Sequence, residues 1–201
     1  MTPSAPTGTG RPRDPTMEER VRQAACDLYG RVGWAGFSID AVAREARVGK
    51  SSIYLRWADQ TALLLDALQA RIGLPLDTDT GSLRTDLLVL SRSTFALLAS
   101  DVGDTVVRLS AEARSVPELA PRWAEFISAQ ATAMRAITQR GIARGDLPES
   151  TPVTVMLDAL FGGLLMHFMA TPPTRMRRMA RDVNEYTEAL VDMLLAAVTK
   201  T

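Results

Sequence analysis

Residues 38–57 read SIDAVAREARVGKSSIYLRW, and this stretch decides the fold. Ser38 is a predicted N-cap, and the short helix after it has one apolar face, formed by Ile39, Val42, Ala43 and Ala46. That helix ends at the RVG tripeptide, and a second short helix, over 50–57, is predicted to start almost at once. Two short helices joined by a tight turn form a helix-turn-helix.

The second short helix separates polar from apolar side chains. Lys50 and Tyr54 are four residues apart and share a face with Ser51, while Ile53 and Trp57 occupy the opposite face. Serine, tyrosine and lysine side chains donate hydrogen bonds to phosphate oxygens, and small hydroxyls permit a close approach. This composition is typical of a recognition helix in a DNA major groove, although KSSIY taken alone is more often a solvated helix face.

The rest of the chain is predicted to be helical around this motif. Residues 1–15 are rich in proline and glycine and lack periodicity, which indicates a flexible arm. A helix before Ser38 and another after the cap residue Asp59 complete a helix-turn-helix domain over 16–73. No alternating strand pattern appears, and the remaining helices are predicted at 83–99, 102–113, 119–142, 153–170 and 176–198. We therefore predict an all-α fold, with a three-helix DNA-binding domain and a larger helical domain over 74–201.

The overall charge makes a local source of DNA affinity necessary. The 201 residues contain 23 Lys+Arg and 23 Asp+Glu, so no global field attracts nucleic acid or a membrane. Affinity has to come from local cations, for which the candidates are Arg44, Arg47, Lys50 and Arg56, joined by Arg11 and Arg13 of the arm.

Several classes of protein are excluded or disfavoured by residue content. The single cysteine, Cys26, excludes an intramolecular disulfide and a cysteine-rich metal site. The single histidine, His167, has no second histidine with which to form a metal cluster or a catalytic dyad, so we interpret it as a pocket or interface residue. The N-terminus lacks an apolar signal core, and the apolar run at 153–170 falls short of a membrane span of about 20 residues. We predict a cytoplasmic protein that is not an enzyme, with no cofactor, metal or membrane partner.

The segment TMEERVRQAACDLYGRVGWAGFSIDAVAREARVGKSSIYLRWADQTALLLDAL, at 16–68, resembles the DNA-binding domain of the tetracycline-repressor (TetR) family of transcriptional regulators. The resemblance runs from Thr16 to about Ala70, roughly a quarter of the chain. It implies DNA contacts from Ser38, Arg47, Lys50, Ser51, Ser52 and Tyr54.

Two positions depart from the family pattern. The family usually has glycine in the turn where this chain has Arg47, so a non-glycine residue is expected in left-handed backbone at a cost of roughly 1 kcal/mol. The family often has lysine at the start of the fourth helix, where this chain has Gln60, which removes one phosphate-binding cation.

The resemblance also implies that the C-terminal domain binds a small effector and dimerises. The run at 153–170 is apolar nearly all round, and its paired glycines would admit a second backbone. With the stripe of the final helix, the predicted dimer residues are Gly162, Gly163, Val183, Tyr186, Leu190 and Leu194. The predicted pocket residues are Phe95, Trp123, Phe126, Met134, Met156, Phe161, Met166 and His167, of which any could instead be core filling.

These observations predict a homodimeric, ligand-responsive transcriptional regulator. We expect a repressor that a small, largely apolar effector releases from a palindromic operator, with the helix after Asp59 as the mechanical link. The sequence does not separate repressor from activator. The alternative is a helical scaffold or an α-helical enzyme with a non-functional helix-turn-helix, which would show no tight DNA binding or would turn over a substrate.

Overall fold

The structure is a computed structural model that describes residues 15–199, without the side chains of Pro15, Pro173 and 177–181. The predicted arm at 1–15, with Arg11 and Arg13, lies outside the described residues except for the backbone of Pro15. Residues 15–199 contain no strand, so the predicted all-α fold is confirmed. The helices are α1 (Pro15–Gly36), α2 (Ile39–Ala46), α3 (Lys50–Tyr54), α4 (Gln60–Arg71), α5 (Leu83–Leu98), α6 (Gly103–Glu112), α7 (Ala120–Arg144), α8 (Val153–Ala170) and α9 (Met176–Thr199), with a 3-10 turn at Pro173–Arg175 before α9.

The five predicted C-terminal helices are confirmed, and each ends within two residues of its predicted bounds. The helix predicted at 50–57 is shorter in the structure, where α3 ends at Tyr54. The N–H groups of Arg56 and Trp57 both bond to the carbonyl of Ile53, which closes the helix in a tight last turn. Asp59 must then adopt extended backbone (φ −153°) to cap α4, so the helix cannot continue.

The predicted caps of the helix-turn-helix are confirmed. The Ser38 hydroxyl accepts a hydrogen bond from the N–H of Ala41 at 3.2 Å, and Asp59 Oδ1 accepts one from the N–H of Ala62 at 2.7 Å. The turn residue Arg47 has the expected left-handed conformation (φ 55°, ψ 48°). Its N–H bonds to the carbonyl of Arg44 and closes α2, so α3 starts at a fixed angle to α2.

Helix α1 is kinked at Gly33, where the sequence predicts its end. Gly33 has φ 66° and ψ −171°, and the helix resumes as far as Gly36. Glycine is needed here for two reasons. The positive φ is unfavourable for other residues, and a Cβ would lie 2.6 Å from Glu112 Oε1 on α6.

Apolar packing forms two main clusters. One joins α1–α4 to α6 and the start of α7, through Val102, Leu109, Ala113, Leu119 and Trp123. The other joins α5, α7, α8 and α9. The boundary at 73/74 stays a prediction, and the apolar packing crosses it. The helix-turn-helix therefore rests directly on α6 of the larger domain.

Helix α8 is only partly covered within one chain. Leu160 and Leu164 are fully buried, whereas Val155 is 65% and Met166 64% exposed. Among residues 15–199, α8 is long and apolar enough to cross a membrane by length and composition, and 22% of it is buried. Helices α5, α7 and α9 of the same chain therefore cover only part of α8.

Candidate DNA interface and ligand cavity

Helix α3 presents a polar face to solvent. Lys50, Ser51 and Tyr54 are exposed, with Tyr54 51% accessible, while Ile53 and Trp57 are buried in the core. The predicted separation of the two faces is confirmed. The packing of Ile53 and Trp57 therefore fixes the direction in which Lys50, Ser51 and Tyr54 point.

Three of the predicted DNA contacts lie together. Ser38, Lys50 and Tyr54 line a shallow groove of about 330 Å³, which Asp40 and the start of α4 complete. Lys50 Nζ lies 2.7 Å from Asp40 Oδ1 and 5.7 Å from the centroid of the Tyr54 ring. The hydrogen bond to Asp40 raises the pKa of Lys50, so the ammonium group stays charged over the groove. We call the predicted contacts on this side the DNA face: Ser38, Lys50, Ser51, Ser52 and Tyr54.

Of the three predicted arginine contacts, Arg47 and Arg56 lie apart from the DNA face. Arg44 is exposed on α2. Arg47 lines a separate groove between α1 and α2 that also contains Glu19, Asp27 and Glu45. Arg56 is directed back to α1, where its Nε lies 2.5 Å from Glu18 Oε1, and its side chain is only 23% exposed. Arg56 therefore braces α3 against α1 in this structure.

A second feature is an apolar cavity of about 470 Å³ inside the larger domain. It lies between α5, α6, α7 and α8 and beneath the end of α4, and no charged side chain of the described residues lines it. Its volume is within the range of about 300–1,000 Å³ typical of small-molecule sites. The lining residues are Ile72, Leu74, Thr94, Leu97, Leu98, Val106, Val107, Ser110, Ala111, Trp123, Phe126, Ile127, Gln130, Met134, Phe161, Leu165 and Met169.

Four of the eight predicted pocket residues line this cavity, namely Trp123, Phe126, Met134 and Phe161. The other four do not, because they lie on other faces of α5 and α8. Phe95 and Met156 are buried in the packing clusters, and Met166 is 64% exposed. His167 stacks on Tyr186 with ring centroids 3.9 Å apart, in an open groove between α8 and α9.

Three polar residues of the cavity wall, Thr94, Ser110 and Gln130, were missed by the sequence prediction. Gln130 interrupts the apolar stripe of α7 formed by Trp123, Phe126 and Met134, and Thr94 interrupts that of α5. The sequence contains a signal for Thr94 and Gln130, because each is a polar residue at a core position of an amphipathic helix. A polar side chain at such a position requires a hydrogen-bond partner.

The predicted dimer residues serve mainly to pack one chain. Val183, Tyr186, Leu190 and Leu194 pack against α5 and α8 of the same chain. Gly163 accepts a hydrogen bond on its carbonyl from the Tyr186 hydroxyl at 3.1 Å, and a Cβ at Gly163 would lie 3.1 Å from Leu190 Cδ2. The side chains that approach Gly163 are therefore those of Leu190 and Tyr186 on α9 of the same chain. Gly162 differs from this group because it is exposed, with nothing within 4 Å of a Cβ placed there.

Helix α6 connects the cavity to the helix-turn-helix. Residues Val106, Val107, Ser110 and Ala111 of α6 line the cavity. Elsewhere on the same helix, Thr105 donates a hydrogen bond to the carbonyl of Cys26 on α1 at 2.9 Å.

Glu112 extends this connection to the kink of α1. Its Oε2 accepts hydrogen bonds from the Tyr29 hydroxyl and from the N–H of Trp34, each at 2.9 Å. Burial, assisted by the carboxylate of Glu112, raises the pKa of Tyr29, so this hydroxyl stays protonated as a donor.

Comparison with known proteins identifies the family. Residues 21–67 match the model described as bacterial regulatory proteins, tetR family, and residues 77–193 match the tetracyclin repressor-like C-terminal domain. The chain is 32% identical over 165 residues to the HTH-type transcriptional regulator AqdR of Rhodococcus erythropolis, a match that covers 79% of this chain and 76% of AqdR. It is 27% identical to the uncharacterized HTH-type regulator YdeS of Bacillus subtilis, over 81% of this chain and 83% of YdeS.

Solved structures share the fold. The regulator FadR from Bacillus subtilis, crystallised with stearoyl-CoA, superposes with a TM-score of 0.69 at 18% identity and covers 88% of this chain and 96% of FadR. These relatives are transcriptional regulators rather than enzymes. The chain therefore belongs to the TetR family and is a DNA-binding transcriptional regulator.

Proposed function

We propose that the chain is a cytoplasmic repressor that binds a palindromic operator as a homodimer and is released by a small, largely apolar effector. The observation that carries this proposal is the position of α6. One helix both lines the apolar cavity and bonds to α1 of the helix-turn-helix. A ligand that moves α6 must therefore change the support of the DNA-binding helices.

DNA contact is assigned to the DNA face. Ser51 and Ser52 are small enough to let α3 approach base edges, and Lys50 and Tyr54 lie beside the groove where phosphate oxygens would be met. Lys50 exchanges Asp40 for a phosphate when DNA binds. Both side chains of that ion pair are about half exposed, so the pair is weak in water and the exchange is easy.

We expect the Tyr54→Phe variant to bind operator and non-operator DNA more weakly by similar factors. A phosphate contact contributes affinity without sequence information, and loss of one hydroxyl from each subunit should cost about tenfold in affinity. Competition binding against selected and random duplexes measures both factors. The melting temperature should be unchanged because Tyr54 is exposed. A loss confined to one base position would contradict the phosphate assignment.

The dimer is assigned to the uncovered face of α8. Val155, Ala159, Gly162 and Met166 recur at spacings of four, three and four, and all are exposed in one chain. Helix α9 also has an exposed apolar residue, Met193, which is 61% accessible. A second copy of α8 and α9 would cover this face and complete a four-helix seam. An exposed apolar helix of this length needs such a cover in water.

We expect Gly162→Arg to convert the dimer into monomers, because an arginine side chain would stand in the centre of the proposed seam. Sedimentation at matched concentrations measures this. Ala143→Arg, on an exposed position of α7, is the matched control and should remain dimeric. Gly163→Arg is not a clean test, since it would displace Leu190 within the chain. An unchanged dimer from Gly162→Arg would remove this seam from the proposal.

The effector signal has two routes to the DNA face. Helix α4 supplies the predicted link, because Ile72 at its end lines the cavity and its cap Asp59 pairs with Arg122 of α7 at 2.9 Å. Helix α6 supplies the second route through Thr105 and Glu112. The stearoyl-CoA in the FadR structure agrees with an effector that places hydrocarbon in the cavity.

A further inference from the structure

Leu55 is the most exposed large apolar side chain among the described residues. It is 82% accessible, whereas the next, Val155 on the uncovered face of α8, is 65% accessible. A single exposed leucine is ordinary on a protein surface, so exposure alone assigns it no role. Its position at the end of α3 makes Leu55 informative, because this helix carries the DNA face.

The backbone fixes the direction of the Leu55 side chain. Leu55 has helical dihedral angles (φ −66°, ψ −17°), and its N–H bonds to the carbonyl of Ser51 at 3.1 Å, so it continues the geometry of α3. At 3.6 residues per turn, Leu55 lies about 200° around the helix axis from the buried Ile53. Leu55 therefore points directly away from the core.

The residues around Leu55 on α3 place it between the two kinds of DNA contact. Ser51, four residues earlier, shares its face, and Ser52 adjoins it. Tyr54 lies about 100° away around the axis, on the flank that it shares with Lys50 above the groove. When that flank meets phosphates, the side opposite the core meets the floor of the major groove, where base edges are exposed.

The chemistry of leucine restricts what it can recognise there. Its side chain neither donates nor accepts a hydrogen bond, so it contributes nothing at a phosphate or at a polar base atom. The apolar group that the major groove presents is the C5-methyl of thymine. Ser51 and Ser52 are small, so they leave room for the longer Leu55 side chain to reach it.

We propose that Leu55 is a specificity-determining residue that selects a T·A base pair in each half-site by contact with the thymine methyl group. This inference rests on the proposed function, since it requires α3 to lie in the major groove with the DNA face toward DNA. It assigns base selection to Leu55 and leaves the phosphate contacts to Lys50 and Tyr54.

The test replaces thymine by deoxyuridine, which pairs identically and lacks only the methyl group. In the site that the full-length wild-type protein selects, each half-site thymine is replaced in turn, symmetrically in both half-sites. At one position the affinity should fall about fourfold for each methyl group, and by about tenfold or more for the two together. Competition binding measures the ratio of thymine to deoxyuridine affinity.

Variants assign this ratio to Leu55. In Leu55→Ala the ratio at that position should fall toward one, and selection from random DNA should no longer favour thymine there. Its melting temperature should match that of the wild-type protein, because Leu55 is exposed. Tyr54→Phe is the matched control on the same helix: it should bind all sites more weakly but keep the wild-type ratio.

Three results would overturn the inference: a selected half-site without thymine, wild-type binding that no deoxyuridine weakens, or an unchanged ratio in Leu55→Ala. Each of these would leave binding to an inverted repeat, and so the proposed function, intact. Failure of the protein to select any inverted repeat would overturn the proposed function, and this inference with it.

Discussion

Gly103→Ala should lower the stability of the protein by about 3 kcal/mol or more, which for a chain of this size lowers the melting temperature by about 6–12 °C. Gly103 starts α6 where the chain turns from α5. A Cβ there would lie 2.7 Å from the carbonyl carbon of Leu98 and closer still to its oxygen. Backbone atoms cannot swing aside as a side chain can, so the corner between α5 and α6 must open.

The control for this substitution is Gly73→Ala, because a Cβ at Gly73 meets nothing within 4 Å and Gly73 has no positive φ. It should melt within a few degrees of wild type at the same protein concentration. A Gly103→Ala protein as stable as Gly73→Ala would contradict the close packing of α5 and α6. Because α6 lies between the cavity and α1, that result would also weaken the proposed route for the effector signal.

Glu112→Ala should cost about 2–4 kcal/mol of stability, since it leaves both the Tyr29 hydroxyl and the N–H of Trp34 without an acceptor. Tyr29 is fully buried, so water does not replace the lost bond. The loss should be concentrated at the kink of α1. Amide hydrogen exchange over residues 29–36 should accelerate more than exchange over residues 60–71 of α4.

Two further variants separate the contributions of this contact. Tyr29→Phe removes one donor but keeps the bond from Trp34 to the carboxylate, so its cost should be smaller than that of Glu112→Ala. Glu125→Ala, on an exposed position of α7, removes a carboxylate of the same charge and should be neutral. Equal stability of Glu112→Ala and Glu125→Ala would show that α6 does not hold the kink.

Much of the fold could be predicted from local sequence. Caps at Ser38 and Asp59 and the apolar faces around Ile53 depend on nearest neighbours along the helix, and the structure has each of them. The left-handed Arg47 was expected from the family resemblance, and the structure has it as well. The end of α3 was missed because Asp59 imposes it from outside the helix. The kink at Gly33 was anticipated only as an end, because the carboxylate that accepts the hydrogen bond of the Trp34 N–H belongs to Glu112, nearly 80 residues later.

The sites were harder to predict because they depend on which helix covers which face. Glycines and an apolar stripe on α8 and α9 are compatible with a contact between two chains and equally with a contact within one chain. The contact at Gly163 lies within the chain, because Leu190 of α9 packs against it. Phe95 and Met156 have the composition of pocket residues but fill the core. Arg56 has the charge for a DNA contact, yet Glu18 on α1 holds it. In each of these cases the role of the residue depends on a contact with another helix, which the local sequence pattern does not show.

Selection of binding sites from random duplex DNA by the purified full-length protein tests the central claim most directly. A two-fold dimer with one α3 per subunit should enrich an inverted repeat, with half-site centres about one helical turn, roughly 34–36 Å, or a multiple apart. Affinity for the selected site should fall with salt by a modest slope, since the chain is formally neutral and Lys50 is the cation that lines the groove of the DNA face among residues 15–199. An asymmetric site, no enrichment, or salt-insensitive binding would contradict a dimeric regulator that holds DNA through Lys50 and Tyr54.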